Sequence, residues 1–288
     1  LLKLTTNILT SNFNTSPEVK ISETNFACYS GWHDIVSELK SKIPGSRKTQ
    51  NVVVVECYQG TNKNEIFAAL QNGLNPALVI DSAEAMHTEE RINEITFPDV
   101  TNDRIFGFIT RLKMKDFFDH EKVSKIRSEA KACKQGTILI IGEGASWVYP
   151  EADLLIYADM ARWEIQKRMR KNLVNNLGIN NKSDSFESMY KRGYFVDWRV
   201  CDKVKKETIH KWNYVLDTNL ENNPVMISGK TFLNAINQVV NQPFSVVPYF
   251  DAGPWGGQWM KEKFALDPAL NNYAWCFNCV PEENSLYL

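Results

Sequence analysis

Apolar residues along this chain come in short unbroken runs, separated by stretches in which they recur every three or four positions. The first run is Asn51-Val-Val-Val-Val-Glu-Cys57, whose four β-branched residues suit a strand buried on both faces. Thr137–Gly142 and Asp153–Asp159 repeat the pattern, and Leu74–Asp81 and Asn213–Asp217 give shorter versions of it. Ile105–Ile109 is a weaker candidate strand. Between the runs, Gly31–Ile43 carries Trp32, Ile35, Val36, Leu39 and Ile43 on one helical face. Asn64–Leu70, Phe117–Cys133, Ala161–Asn175 and Lys230–Val240 read as further helices. Residues 1–30, rich in Thr, Asn and Ser, predict no element. Short strands alternating with helices imply an α/β fold, a parallel sheet flanked by helices and joined by right-handed crossovers.

Ligands in such sheets bind beyond the carboxyl ends of the strands. Lys63, Asp81 and Glu143 all fall at predicted strand ends. Strand, short turn with Gly60 and Lys63, then helix is the layout in which backbone amides and a lysine hold phosphate oxygens. The spacing of a phosphate loop would make Gly60, Thr61, Asn62, Lys63 and Asn64 the binding stretch. Cys57 and Asn62 stand where that motif has glycine, and Asn64 where it has a hydroxyl for Mg²⁺. An ordinary turn with a solvated lysine is the alternative.

Charge adds a second feature. The chain has 288 residues, 33 Lys and Arg, 34 Asp and Glu, and a formal net charge of −1. That balance argues against a general nucleic-acid or membrane-surface role, so neither partner is expected. No apolar run approaches the roughly 20 residues that span a bilayer. Six mostly isolated cysteines read as reduced thiols of a cytoplasmic protein. Within this neutral total, residues 162–211 hold 13 basic against 6 acidic residues. Arg162 and Arg168 flank the apolar stripe Ile165, Met169 and Leu173, facing a cleft, while Lys167 and Lys171 point away. A basic segment of this kind suits a lid over phosphates; a solvated basic helix is the alternative.

In order, Val52–Lys63, Val79–Asp81, Ile138–Gly144 and Tyr157–Arg162 with Arg168, Arg170 and Lys191-Arg192-Gly193 resemble nucleoside and sugar kinases of the uridine-kinase and phosphoribulokinase type. Over roughly residues 31–220, the resemblance implies a P-loop-kinase-like sheet. It also implies a nucleotide or phosphorylated sugar as partner, ATP with Mg²⁺ as cofactor, and Asp81 as base. Glu143 would lie near the metal, and Arg162, Arg168, Arg170 and Arg192 on the phosphates. The substituted loop favours binding with weakened or lost transfer; an active kinase and a non-catalytic interaction module are the alternatives.

Phe244–Trp259, continuing through Trp275–Ser285, resembles the opening of a bacterial class I mannose-6-phosphate isomerase-like protein. That implies a kinase-like domain over residues 1–240 and, from 241 to 288, the start of a cupin-like isomerase domain whose Zn²⁺ would lie beyond residue 288. No His follows residue 259, and no metal site is expected within this chain. Gly229-Lys230-Thr231 reads as a helix start with no strand before it, and Cys276 and Cys279 as a thiol pair.

Overall fold

In the computed structural model, residues 20, 22, 26–43, 49–241, 262–267 and 288 are described. The expectations for Phe244–Trp259 and Trp275–Ser285 fall almost wholly outside them. The chain forms two compact units: residues 23–234 with 284–288, and residues 1–22 with 235–283. In the second unit, the Ser22 amide donates to Gln238 Oε1 at 3.1 Å.

The larger unit is an α/β sheet of seven strands with helices on both sides. In chain order they are β1 (Cys28–Ser30), β2 (Gln50–Cys57), β3 (Leu78–Asp81), β4 (Gly136–Gly142), β5 (Leu154–Asp159), β6 (Tyr214–Asp217) and β7 (Val225–Ser228). Their order across the sheet is β1-β7-β6-β5-β2-β4-β3. β2 to β6 are parallel, and β7 and β1 extend the edge antiparallel. β2 sits between β4 and β5, with Val53 opposite Leu139 on one side and Leu154 on the other. The chain leaves β2 toward β3 and later adds β5 and β6 on the other side, so the order reverses beside β2.

Alternation along β2 divides its run between two cores. Val53, Val55 and Cys57 meet Ile35 and Leu39 of α1 (Gly31–Lys42) and Ile66 and Leu70 of α2 (Lys63–Leu74). Val52, Val54 and Glu56 face the other side, where α5 (Ala145–Val148) lies against β2. The remaining helices are α3 (Glu89–Val100), α4 (His120–Ala132), α6 (Arg162–Arg170), α7 (Phe186–Arg192), α8 (Trp198–Thr208) and α9 (Gly229–Val239). One π turn, Gly193–Asp197, joins α7 to α8.

Several sequence expectations change. Ile105–Ile109 is no strand: it is an exposed loop without a neighbouring strand, closed by an Asp103 turn. The run from Leu74 begins late, because α2 continues to Leu74 and ends on Asn75 in the left-handed region (φ 48). α4 starts at His120, after a 3-10 turn over Met114–Phe117. α6 stops at Arg170, with Asn172 at φ 56, which leaves Leu173 63% exposed and outside the stripe of Ile165 and Met169. A strand does precede Gly229-Lys230-Thr231, namely β7. Because β7 runs antiparallel, Ser228 pairs with Tyr214 at the start of β6, at the sheet end opposite Lys63.

Candidate functional site

At the carboxyl ends of β2, β3 and β4 two acids stand close, Asp81 ending β3 and Glu143 just past β4. β3 ends on Asp81, whose Oδ1 accepts the Ala83 amide at 2.9 Å and so fixes the carboxylate at the strand end. β4 ends on Gly142 at φ 131, where a Cβ would collide with Ser82 Oγ. Only glycine lets the two strand ends approach this closely. Ser82 then donates to the Glu143 carbonyl at 2.9 Å.

Lys63, the first residue of α2, reaches across to β3. Its Nζ lies 2.6 Å from Asp81 Oδ2, and both side chains are half-buried. Burial opposes the ammonium, but the Glu143 charge and the Asp81 hydrogen bond hold its pKa above the usual lysine value. Burial raises the pKa of Glu143 while the Lys63 charge pulls it down. Lys63, Asp81 and Glu143, placed together from the sequence, thus share one electrostatic site.

Behind them sits a residue the sequence reasoning passed over. Glu56 is buried in β2, with Oε1 accepting the Gly144 amide at 2.8 Å and Oε2 the Ser146 amide at 2.7 Å. Burial pushes its pKa up to about 7, against the lowering effect of those amides. It clamps the turn that carries Glu143 to the sheet. A charged residue inside a run of valines was the available signal.

The loop between β2 and α2 is closed on itself. The Thr61 amide donates to the Tyr58 carbonyl at 3.2 Å, and the Lys63 amide to the Thr61 carbonyl at 2.9 Å. Thr61 is buried with its hydroxyl on the same Tyr58 oxygen. Asn62 caps α2 by accepting the Glu65 amide at 3.3 Å, and Asn64 is exposed in the first helical turn. Gly60, at φ 91, lies under α6, where a Cβ would stand 2.8 Å from Ile165 Cγ1.

The predicted arginines spend themselves on the fold. Arg168 donates to the Gly60 carbonyl at 3.1 Å and the Thr218 carbonyl at 3.0 Å, which staples α6 to the back of the loop. Arg162 pairs with Asp202 and donates to Tyr58 Oη at 3.3 Å, raising its pKa despite burial. Arg170 lies over the Phe186 ring at 4.2 Å. Arg192 is buried against Asp197 at 3.3 Å and donates to Asn93 and the Leu177 carbonyl. Neither Arg170 nor Arg192 is brought to Lys63.

A fit to nucleotide and Mg²⁺ is therefore partial. Lys63 supplies a cation for phosphate, and Asp81 with Glu143 supplies the one or two carboxylates from which Mg²⁺ is held beside substrate phosphates. The amides of Thr61, Lys63 and Glu65 that would cradle phosphate already have partners. Among the described residues, no group of three or more His, Cys, Asp or Glu could hold a metal, and no helix is long and apolar enough to cross a membrane.

The model of a family described as a domain of unknown function (DUF8485) matches residues 31–241. No curated protein matches the chain. Among solved structures, a protein from Silicibacter sp. TM1040 provisionally named a fructose transport system kinase is similar at 13% identity. Its TM-score is 0.40, and the match covers 60% of this chain and 94% of that one.

Proposed function

The chain belongs to the DUF8485 family, and for it we propose a module that binds a phosphorylated small molecule, nucleotide or hexose phosphate, at the carboxyl ends of β2, β3 and β4. The observation that carries this reading is Lys63, held at 2.6 Å from Asp81 and beside Glu143, half-exposed at the point where the strand order reverses. An anion arriving there would displace Asp81 from Lys63 and take its place on the ammonium. Transfer chemistry is weakened or lost, because the Thr61, Lys63 and Glu65 amides are engaged and position 64 offers no hydroxyl. With ATP and Mg²⁺ bound, the metal would sit near Asp81 and Glu143 and shield phosphate charge.

Active phosphoryl transfer is the second reading, favoured by the Asp81 carboxylate beside Glu143, where a base would stand. The isomerase reading rests on residues almost entirely outside the described ones, and no comparison supports it.

Calorimetric titration of the chain with Mg²⁺–ATP and then with a hexose 6-phosphate tests the proposal. Binding should weaken by on the order of 1–3 kcal/mol in Lys63→Ala, the range for a charge-assisted hydrogen bond. Its stability should change by under about 1 kcal/mol, since the Lys63–Asp81 pair is half-exposed. Equal affinity of parent and variant for every phosphate ligand would leave Lys63 a plain surface pair. ATP turnover abolished in Asp81→Asn would favour the kinase instead.

A further inference from the structure

The segment between α3 and α4 holds large apolar side chains out in water. Phe106 is 70% exposed and Phe108 67%, and Ile105, Ile109 and Phe97 at the end of α3 are more than half exposed. Ile95, Pro98 and Leu112 continue this surface inward as an open groove. Leaving five such residues in solvent forgoes the burial that drives folding, and a contiguous apolar patch marks an interaction surface.

The loop presenting them is fixed from behind. The Phe108 amide donates to the Asp99 carbonyl at 2.7 Å, and the Thr110 amide to the Phe195 carbonyl at 3.0 Å. Lys203 Nζ donates to the Thr110 and Leu112 carbonyls at 3.1 and 2.7 Å, and Lys191 Nζ to the Thr101 and Asp103 carbonyls. The backbone is thus held while the apolar tips project.

Charge around the tips identifies what they meet. Arg104, Arg111, Lys113 and Lys115 are exposed in the same segment. Burial and then the Lys113 charge lower the pKa of Lys203, as expected where ammonium groups crowd. Three acids share the segment and stay charged, with Asp103 accepting the Ile105 and Phe106 amides, Asp116 the Lys113 amide and Asp99 the Thr110 hydroxyl, so the four exposed cations leave only a small local excess of positive charge. Projecting aromatics flanked by cations are the arrangement that inserts side chains at the acyl boundary while basic groups meet anionic headgroups.

We propose that the segment 101–115 docks the protein reversibly on an anionic lipid surface, with Phe106 and Phe108 inserted and Arg104, Arg111, Lys113 and Lys115 on the headgroups. This local surface departs from what the near-zero net charge of the whole chain implied.

The test is co-flotation of the full chain with vesicles of phosphatidylcholine containing phosphatidylserine, against vesicles of phosphatidylcholine alone. The parent should float with the anionic vesicles, and less as salt is added. Phe106→Ser with Phe108→Ser should cut the bound fraction by on the order of tenfold. Lys113→Gln with Lys115→Gln should weaken binding and flatten its salt dependence. These positions are exposed, so thermal melting should confirm that each variant folds. Absence of flotation with anionic vesicles, or flotation indifferent to the phenylalanines, overturns the proposal. So does lipid-free self-association of the parent that the phenylalanine variant abolishes, which would make the patch an interface between copies.

Discussion

Replacing Glu56 with glutamine should flatten the pH dependence of stability. The folded-state pKa of about 7 stands above the ordinary 4.5, so the native state binds the proton more tightly between those values. The stabilising contribution is fully present below about pH 4.5 and is lost as pH rises through about 7. At about 1.36 kcal/mol per pH unit the whole effect is on the order of 3 kcal/mol, of which about 2–3 fall between pH 5 and 8. Glutamine cannot ionise. It also turns an NH₂ toward the amide of Gly144 or Ser146, a cost that is the same at both pH values. Urea unfolding at pH 5 and pH 8 on parent and variant reads the effect of Glu56 together with its coupling to Glu143, since the carboxylates away from this pair titrate in both proteins. The parent should lose about 2–3 kcal/mol more than the variant over that interval. Parallel losses would show that Glu56 ionises normally and that the clamp on the Glu143 turn is not a buried acid at all.

Arg192→Leu should destabilise the chain by about 3–5 kcal/mol, because it strands Asp197 in the interior; normal urea stability with altered ligand affinity would return Arg192 to a binding role. Gly60→Ala should cost about 1–3 kcal/mol through its positive φ and the approach of Ile165. Adding Ile165→Ala should recover the steric part, and strictly additive losses in that double-mutant cycle would mean that the two do not touch.

What the sequence disclosed follows the range of the forces involved. β2 and β4 were visible because a strand buried on both faces needs an unbroken apolar run, and Val52–Val55 and Ile138–Ile141 supply one. The meeting of Lys63, Asp81 and Glu143 was visible because strand ends in a parallel sheet converge. Ile105–Ile109 looked like a strand because apolarity says nothing about whether a neighbour exists to pair with it. α3 was hidden by Pro98 inside it. The contacts of the arginines were hidden for another reason. Helical phase placed Arg162 and Arg168 beside the buried stripe, but their partners, Asp202 and the carbonyls of Gly60 and Thr218, are 40 to 108 positions distant in the chain. Spacing along one helix carries no information about them.

The place of β2 between β4 and β5 also sets an order of events in folding. Val53 pairs with Leu139 and Leu154, so neither neighbour has been synthesised when the four-valine run leaves the ribosome. Among the described elements, α1, already made, and α2, made next, pack on it and shield one face. Until about a hundred further residues have been added, the other face and both edges of this four-valine strand stay open to wrong pairing. Closing loops of that length before any ladder forms makes slow, non-local assembly the expected route. The nascent chain is most vulnerable to aggregation during that interval, and the segment at risk is the one from which the site is later built.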